Sequence, residues 1–286
     1  MTVSRSLNSR NICPAKINLG LEVLRKREDG YHELNTLFVR VEQPHDVIEV
    51  TVSGTFQLTA SDPTLSIDGS NLIRKAADAF SQRTGLSLPS LHLDLIKSIP
   101  MGAGLGGGSS NAATTLRICN EHYDSPLSET ELIGLGAKVG ADVPFFITNG
   151  TSAIAGGIGD KLEMVDLSLT SHLLIVKPAS VSISTKDAYA RITPRGGAAT
   201  DLFQVVNDRD WSKLENDFER AIFPLNPELP MIKNGLLAAG ADYASMSGSG
   251  SAIFGLFEEE STIDKAAAAM ENMGYPCWRS TIGQKR

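Results

Sequence analysis

Cysteine is scarce in this sequence of 286 residues, and the cysteines that are present form no recognisable pattern. The three cysteines lie far apart and make no Cys-x-x-Cys pair. We therefore expect neither a disulfide framework nor a zinc site, and the odd count is typical of a protein from a reducing compartment. The chain also lacks a run of about 18 apolar residues and the apolar core of a signal peptide. These absences predict a soluble, cytoplasmic protein.

Positive charge is also in short supply. Lysine and arginine number 26 against 33 aspartates and glutamates, which gives a net charge of −7, and the largest basic run is Arg25–Arg27. A nucleic-acid polymer is therefore not an expected partner, although one nucleotide in a local basic pocket is compatible with this charge. We predict small-molecule partners and no membrane contact, and the oligomeric state stays open.

Glycine, by contrast, is concentrated in one segment. Between Ile99 and Ala113 the chain reads IPMGAGLGGGSSNAA, with five glycines in seven positions. Glycine loses more backbone entropy on folding than any other residue, so such a density indicates a backbone that must approach something closely. Ser109, Ser110 and Asn111 are residue types that cap helices, and a helical pattern follows them. A glycine-rich loop that leads into a helix N-terminus predicts a phosphate site.

Three interpretations of this segment compete. A flexible linker is disfavoured because an apolar strand precedes the segment and an apolar helix follows it. A dinucleotide site is suggested by G-x-G-x-x-G, but this fingerprint needs an acid at the end of a second strand about twenty residues on, and no such strand follows. A nucleoside triphosphate site of a non-Walker type fits best, because no lysine follows the glycines.

The chain pattern predicts an α+β fold with two lobes. Alternating apolar residues and short turns predict antiparallel strands across the first third of the chain. Helices are predicted to begin at Asn71 and at Ser128, where Ser128 and Glu131 form a capping box. We predict an N-terminal lobe of residues 1–158 that carries the glycine segment, and a C-terminal α+β lobe of residues 159–286.

A few residues outside the segment could supply chemistry, and each has two interpretations. Lys16 interrupts an apolar strand, so it either reaches to solvent or points into a cleft. Asp142 precedes Val-Pro, so it either caps a helix or accepts a proton. Tyr31 and His32 follow a turn and are either exposed or bind a flat ring. The small-residue run Met246–Ala252 is predicted to press against another loop or a phosphate.

Taken together, these stretches resemble the GHMP kinases, because five motifs occur in the order seen in that family. The motifs are PAKINLGL (Pro14–Leu21), DGYHEL (Asp29–Leu34), PMGAGLGGGSSNAA (Pro100–Ala113), GADVPFF (Gly140–Phe146) and SGSGSAIFG (Ser247–Gly255). The resemblance implies a two-lobed GHMP kinase architecture with the active site in the cleft between the lobes. The resemblance is narrowed to family members that act on a cytidylyl-diphospho alcohol by three of these motifs together: PAKINL, DGYHEL and GADVPFF.

By this resemblance, the protein would move the γ-phosphate of ATP to the 2-hydroxyl of a diphosphocytidyl methylerythritol, in isoprenoid precursor synthesis outside the mevalonate route. Mg²⁺ is expected with ATP, and no protein ligand is assigned to it. Asp142 matches the family's catalytic aspartate, and Lys16 matches the lysine that positions it. The implied ATP-binding residues are Asn71, Leu72, Lys97, Pro100, Met101, Gly102, Ala103, Gly104, Leu105, Gly106, Gly107, Gly108, Ser109 and Ser110. The implied substrate-binding residues are Asn18, Tyr31, His32, Thr185 and Tyr189.

Departures from the family pattern are small and remove no functional group: Cys13, Ala103 and Ser249. Three alternatives remain beside the main interpretation. The chain could be another GHMP kinase, such as one for homoserine or mevalonate. It could be a nicotinamide-dependent oxidoreductase that uses the glycine fingerprint, or a nucleotide-binding protein without catalysis.

Overall fold

The computed structural model describes residues 8–283. Within these residues the strands are β1 (Ser9–Lys26), β2 (His32–Val52), β3 (Gln57–Ala60), β4 (Leu91–Ile96), β5 (Ser152–Gly156), β6 (Lys161–Met164), β7 (Ser171–Val176), β8 (Tyr243–Met246), β9 (Ile253–Phe257) and β10 (Cys277–Ile282). The α-helices are α1 (Leu72–Thr84), α2 (Gly107–His122), α3 (Glu129–Val139), α4 (Val143–Ile147), α5 (Thr185–Arg191), α6 (Leu202–Asn207), α7 (Asp217–Ile222), α8 (Glu228–Ala238) and α9 (Glu260–Asn272). None of the helices described between residues 8 and 283 is long and apolar enough to cross a membrane.

The chain divides into two compact units, and it passes between them several times. Among the described residues, unit 1 consists of 8–15, 45–99 and 106–149, and unit 2 consists of 16–44, 100–105 and 150–283. The long strands β1 and β2 each run from one unit into the other. The predicted lobes divided at residues 158 and 159 stay a prediction, and the compact units differ from them in being interleaved along the chain.

Unit 1 is built on β4. This strand pairs in parallel with β3 and antiparallel with the second part of β2, with Val50 opposite Leu93. The leucines of β4 are buried and alternate with half-buried residues, as the sequence pattern predicts. Helix α1 packs against α2, and the core is apolar throughout: Cys13, Ile48, Val50, Ile73, Leu91, Leu93, Leu95 and Ile118.

Unit 2 has a four-stranded antiparallel sheet in the order β10-β7-β9-β8, and a second strand set in which β5 pairs with the first part of β2 and with β6. Helix α8 packs against β8 and β9, and α9 packs against β7. The buried faces of these elements form one large apolar core around Phe218 and Phe257.

Several local predictions are confirmed. Asn71 is the N-cap of α1, and its side chain accepts a hydrogen bond from the N–H of Ile73. Ser128 and Glu131 form the predicted capping box at α3. The prediction that Ser109, Ser110 or Asn111 caps α2 is wrong. The N-cap is Gly106, because Gly107 and Gly108 already have helical backbone and the left-handed Gly106 (φ 73°) precedes them.

Candidate active site

The first part of the glycine segment, Pro100–Leu105, lies against the small-residue loop Ser247–Ala252; we call it the docked half. The N–H groups of Ser251 and Ala252 donate to the carbonyls of Gly102 (3.2 Å) and Ala103 (3.0 Å). The hydroxyl of Ser247 donates to the carbonyl of Gly104 at 3.0 Å. The prediction that this small-residue loop presses against another loop is thereby confirmed.

Gly104 shows why the docked half needs glycine. Its φ is +75°, and a Cβ built there would lie 1.9 Å from the carbonyl oxygen of Ser247. Both the left-handed backbone and this close approach exclude a side chain. The small-residue loop that packs against Gly104 is held in turn by Asn216, whose side-chain amide donates to the carbonyls of Met246 (2.7 Å) and Gly248 (2.8 Å).

The second part of the segment, Gly106–Ser110, has different surroundings; we call it the open half. No side chain caps α2, so the N–H groups of Gly107 and Gly108 have no partner within the helix. The hydroxyl of Ser110 is buried and has no hydrogen-bond partner among residues 8–283. Unpaired donors and the positive end of the helix dipole thus coincide here, which favours an anion.

Three of the predicted ATP-binding residues lie beside the open half in unit 1. A Cβ built on Gly107 would lie 3.3 Å from Lys97 Nζ, and one on Gly108 would lie 3.2 Å from Leu72 Cδ1. Asn71, at the N-cap of α1, directly precedes Leu72. The structure therefore brings Leu72 and Lys97 to the start of α2, with Asn71 next to Leu72 in the chain.

The sequence analysis missed Asp46, which is fully buried in unit 1. Its carboxylate forms an ion pair with Lys97 and accepts hydrogen bonds from the N–H groups of Ser98 and Ile99, both at 2.8 Å. It also accepts one from the side-chain amide of Asn111 at 3.0 Å. No local motif marks Asp46, since its partners are more than fifty residues away in sequence.

Asp142 lies at the N-cap position of α4, but its side chain makes no capping hydrogen bond. The preceding turn lies near the open half, because a Cβ built on Gly140 would be 3.8 Å from the Ser109 hydroxyl. Helix capping therefore does not explain why an aspartate stands at position 142. Its predicted part in catalysis stays a prediction.

Lys16 is buried in unit 2, with 4% of its surface exposed. Its ammonium donates to Asn18 Oδ1 at 2.7 Å and lies 5.0 Å from the centre of the Phe38 ring. The amide of Asn18 donates to Thr36 Oγ1 at 2.9 Å. The backbone N–H of Lys16 donates to the carbonyl of Leu105, the last residue of the docked half, at 2.9 Å. The solvent-reaching interpretation of Lys16 is therefore wrong.

The residues predicted to bind the acceptor also belong to unit 2. His32 stacks on Tyr189 with ring centres 5.3 Å apart, whereas the Tyr31 side chain is largely exposed. Burial, helped by the charge of Lys26, lowers the pKa of His32 below its usual value. Thr185 and Ser249 are hydrogen-bonded through their hydroxyls at 3.2 Å. The stacked rings of His32 and Tyr189, together with the exposed ring of Tyr31, are a suitable surface for an aromatic base.

Two family models match the chain: the GHMP kinases N terminal domain over residues 71–150 and the GHMP kinases C terminal region over residues 204–276. The chain is 41% identical over 269 residues to the 4-diphosphocytidyl-2-C-methyl-D-erythritol kinase of Chlorobium limicola, covering 91% of this chain and 92% of the relative. The enzyme of that name from Parabacteroides distasonis is 41% identical over 249 residues, covering 86% and 90%.

Solved structures agree with these matches. A crystal structure of 4-(cytidine 5'-diphospho)-2C-methyl-D-erythritol kinase superimposes with a TM-score of 0.83 at 32% identity, covering 97% of this chain and 100% of that one. The homoserine kinase from Cytophaga hutchinsonii shares the fold, with a TM-score of 0.70 at 19% identity and coverage of 99% and 96%. The chain belongs to the GHMP kinases and, among them, to the family of the 4-diphosphocytidyl-2-C-methyl-D-erythritol kinases. The predicted fold class is confirmed, and the nicotinamide-dependent alternative is excluded.

Proposed function

We propose that this protein transfers the γ-phosphate of ATP to the 2-hydroxyl of 4-diphosphocytidyl-2-C-methyl-D-erythritol, giving the 2-phosphate and ADP. The observation that carries phosphate transfer is that the open half combines uncapped N–H groups with the Ser110 hydroxyl, which has no partner in the part of the chain that the structure describes. Such a helix start binds phosphate oxygen. The choice of acceptor is supported by relatives that carry this substrate in their names and match about nine-tenths of the chain.

The residues of unit 1 fit the donor nucleotide. A Cβ at Gly107 would lie 2.9 Å from Ile99 Cγ2, so this position has no room for a side chain. A phosphate at this turn would therefore contact backbone N–H groups. We assign the phosphates to the glycine segment, Pro100–Ser110, and the base to Asn71, Leu72 and Lys97. This assignment rests on the family resemblance and on the clustering of those three residues beside α2.

Mg²⁺ accompanies ATP in phosphoryl transfer and neutralises the charge on the phosphate oxygens. Within residues 8–283 no group of three or more His, Cys, Asp and Glu side chains is placed to hold a metal. The buried hydroxyl of Ser110 fits the ion, because Mg²⁺ prefers oxygen ligands and this oxygen has no other partner among the described residues. We propose that the phosphates supply most of the coordination and that Ser110 supplies the protein's hydroxyl.

Asp142 is assigned as the proton acceptor. The 2-hydroxyl gives its proton to this carboxylate while its oxygen forms a bond to the γ-phosphorus, and the bond from that phosphorus to the β,γ-bridging oxygen breaks to release ADP. Lys16 is assigned to orient the aspartate and the hydroxyl and to stabilise the developing alkoxide. This assignment rests on the resemblance of the motif that carries Lys16 to the family.

The cytidine end of the acceptor is assigned to unit 2. Tyr31 would stack on the cytosine and His32 would hydrogen-bond its polar edge, with Tyr189 behind His32 at 5.3 Å between ring centres. Asn18 and Thr185 would contact the rest of the acceptor. We place the reaction in the cytoplasm, in the synthesis of isopentenyl diphosphate without mevalonate, and we propose no nucleic-acid partner.

A coupled assay of ADP release tests the proposal with a panel of acceptors: the cytidylyl-diphospho methylerythritol, homoserine and mevalonate, each with MgATP. We expect turnover with the first alone. Turnover with homoserine or mevalonate instead would assign the chain to another GHMP activity. ADP release with none of the three would overturn the specific assignment.

The variant Asp142→Asn separates catalysis from binding. We expect turnover to fall by about 10³-fold, the range of a lost general base, while the dissociation constant for ATP changes less than about twofold. Asp78→Asn is the matched control in unit 1, since the ion pair of that carboxylate among residues 8–283 is with Arg74 on the surface of α1. Wild-type turnover in Asp142→Asn would contradict the assignment and favour a protein that binds nucleotide without catalysis.

A further inference from the structure

Asp46 is a buried carboxylate to which no part of the proposed reaction gives a role. Its side chain has no exposed surface, and each of its two oxygens has more than one partner. Oδ1 accepts from the N–H groups of Ser98 and Ile99, and Oδ2 pairs with Lys97 and accepts from Asn111. A buried charge is stable only when it is paired and hydrogen-bonded, and Asp46 meets both conditions.

The partners of Asp46 lie on both sides of the glycine segment. Ser98 and Ile99 directly precede Pro100–Ser110, whereas Asn111, the fifth residue of α2, directly follows it. One carboxylate therefore fixes the position at which the chain leaves β4 and the position at which it returns as α2. The spacing between these two points determines how the N–H groups of the open half are presented.

Lys97 links Asp46 to the first helical turn. Its ammonium is paired with Asp46 and would lie 3.3 Å from a Cβ on Gly107. Its side chain is only 9% exposed, so it cannot move freely between solvent and the start of α2. The direction in which this buried lysine points is thus set by Asp46.

We propose that Asp46 is a positioning residue for the nucleotide: it holds Lys97 and the start of α2 in the arrangement that binds ATP. This inference rests on the proposed function, because it takes the open half as the site of the phosphates. A purely structural role would lower stability and change all kinetic constants together. A positioning role for the nucleotide changes the constants for ATP and leaves those for the acceptor.

The decisive variant is Asp46→Asn. The asparagine oxygen can still accept from Ser98 and Ile99, but its amide group would face the donors of Lys97 and Asn111. We expect the KM for ATP and the dissociation constant for ADP, measured by titration calorimetry, to rise at least tenfold. The KM for the acceptor should stay within twofold and kcat at saturating ATP within threefold.

Asp217→Asn is the matched control, because Asp217 is a comparably buried carboxylate in unit 2 that pairs with Arg195 and accepts from the N–H of Val23. We expect this variant to lose stability without a change in ADP affinity. In a Lys97→Met background, Asp46→Asn should weaken ADP binding much less than in the wild type, because its main partner is already gone. Additive effects of the two substitutions would overturn the link through Lys97.

If Asp46→Asn does not fold, Asn111→Ala provides the same test, since it removes one hydrogen bond and leaves the ion pair in place. We then expect the dissociation constant for ADP to rise about threefold while the KM for the acceptor is unchanged. Unchanged ADP affinity in a folded variant of either kind would overturn the inference. Absence of phosphate transfer by the wild-type protein would instead overturn the proposed function, and calorimetry with ADP distinguishes the two failures.

Discussion

The two halves of the glycine segment use the same residue for opposite purposes. In the docked half the backbone is bonded to the loop Ser247–Ala252, and Gly104 is required because a carbonyl oxygen occupies the place of its side chain. In the open half the backbone donors lack partners within the helix, and the buried hydroxyl of Ser110 is unpaired among the described residues. Glycine therefore allows the first half to pack against another loop, and in the second half it forms the helix start at which we propose that a ligand binds.

The largest expected effect is that of Gly104→Ala, which disrupts the packing of the docked half. The new Cβ would lie 1.9 Å from the Ser247 carbonyl oxygen at a φ of +75°, so the loop has to move. We expect a loss of more than about 3 kcal/mol in the free energy of unfolding, measured by urea denaturation, together with loss of turnover.

Gly108→Ala is the control from the open half. Its Cβ would meet only the flexible end of Leu72 at 3.2 Å, in a helical position where alanine is favoured over glycine by about 1 kcal/mol. This variant should be at least as stable as the wild type. Equal losses in the free energy of unfolding for Gly104→Ala and Gly108→Ala would show that the two halves do not differ in their need for glycine.

A pair of buried serines sharpens the same contrast with a smaller effect. Ser110→Ala removes a hydroxyl without a partner, so the protein should gain about 1 kcal/mol, whereas Ser247→Ala loses the bond to Gly104 and should cost about 1 kcal/mol. Turnover with MgATP should nevertheless fall in Ser110→Ala by at least about tenfold, because the proposed Mg²⁺ site loses its protein hydroxyl.

Urea denaturation without nucleotide and steady-state kinetics measure these two quantities separately. Stability and activity should thus move in opposite directions in Ser110→Ala. A loss of stability in that variant would show that the hydroxyl stabilises the unliganded fold, against the assignment of this oxygen to the ligand.

Local sequence points to those parts of the candidate site that one stretch of chain encodes, and the roles of Lys16 and Asp142 stay predictions. Lys16 and Asp142 stand in motifs, and Asn71 was correctly predicted to begin α1. The helix cap at Ser109–Asn111 was wrong because residue preference favours serine and asparagine there, while the chain begins the helix already at Gly107.

Long-range contacts could not be predicted in this way. The carbonyl of Gly104 accepts a hydrogen bond from Ser247, 143 residues later, and no sequence motif marks Asp46 within β2. Asp46 acquires its meaning only when folding brings Ser98, Ile99 and Asn111 to it. Such clusters depend on tertiary packing, which carries no signature in sequence spacing.

The smallest expected effect lies at His32, outside both halves, and it tests whether acceptor binding is independent of the glycine segment. Burial and the charge of Lys26 lower the pKa of His32 below 6.5, so the folded protein binds this proton less tightly than the unfolded chain does. The free energy of unfolding should therefore fall as the pH drops below 6.5, and His32→Gln should reduce that slope. Protonation should also raise the KM for the cytidylyl acceptor by less than about tenfold, the scale of one hydrogen bond, and leave the KM for ATP unchanged.

His122→Gln is the matched control for this pH dependence, because burial also lowers the pKa of His122, at the far end of α2. Both variants should reduce the slope of stability against pH, but only His32→Gln should remove the pH dependence of the KM for the acceptor. Kinetics from pH 5.5 to 8 with each substrate varied in turn decide the matter. If the KM for ATP also rises at low pH and His32→Gln abolishes that rise, the acceptor residues and the open half act as one site. The expectation that acceptor binding is independent of the glycine segment is then wrong.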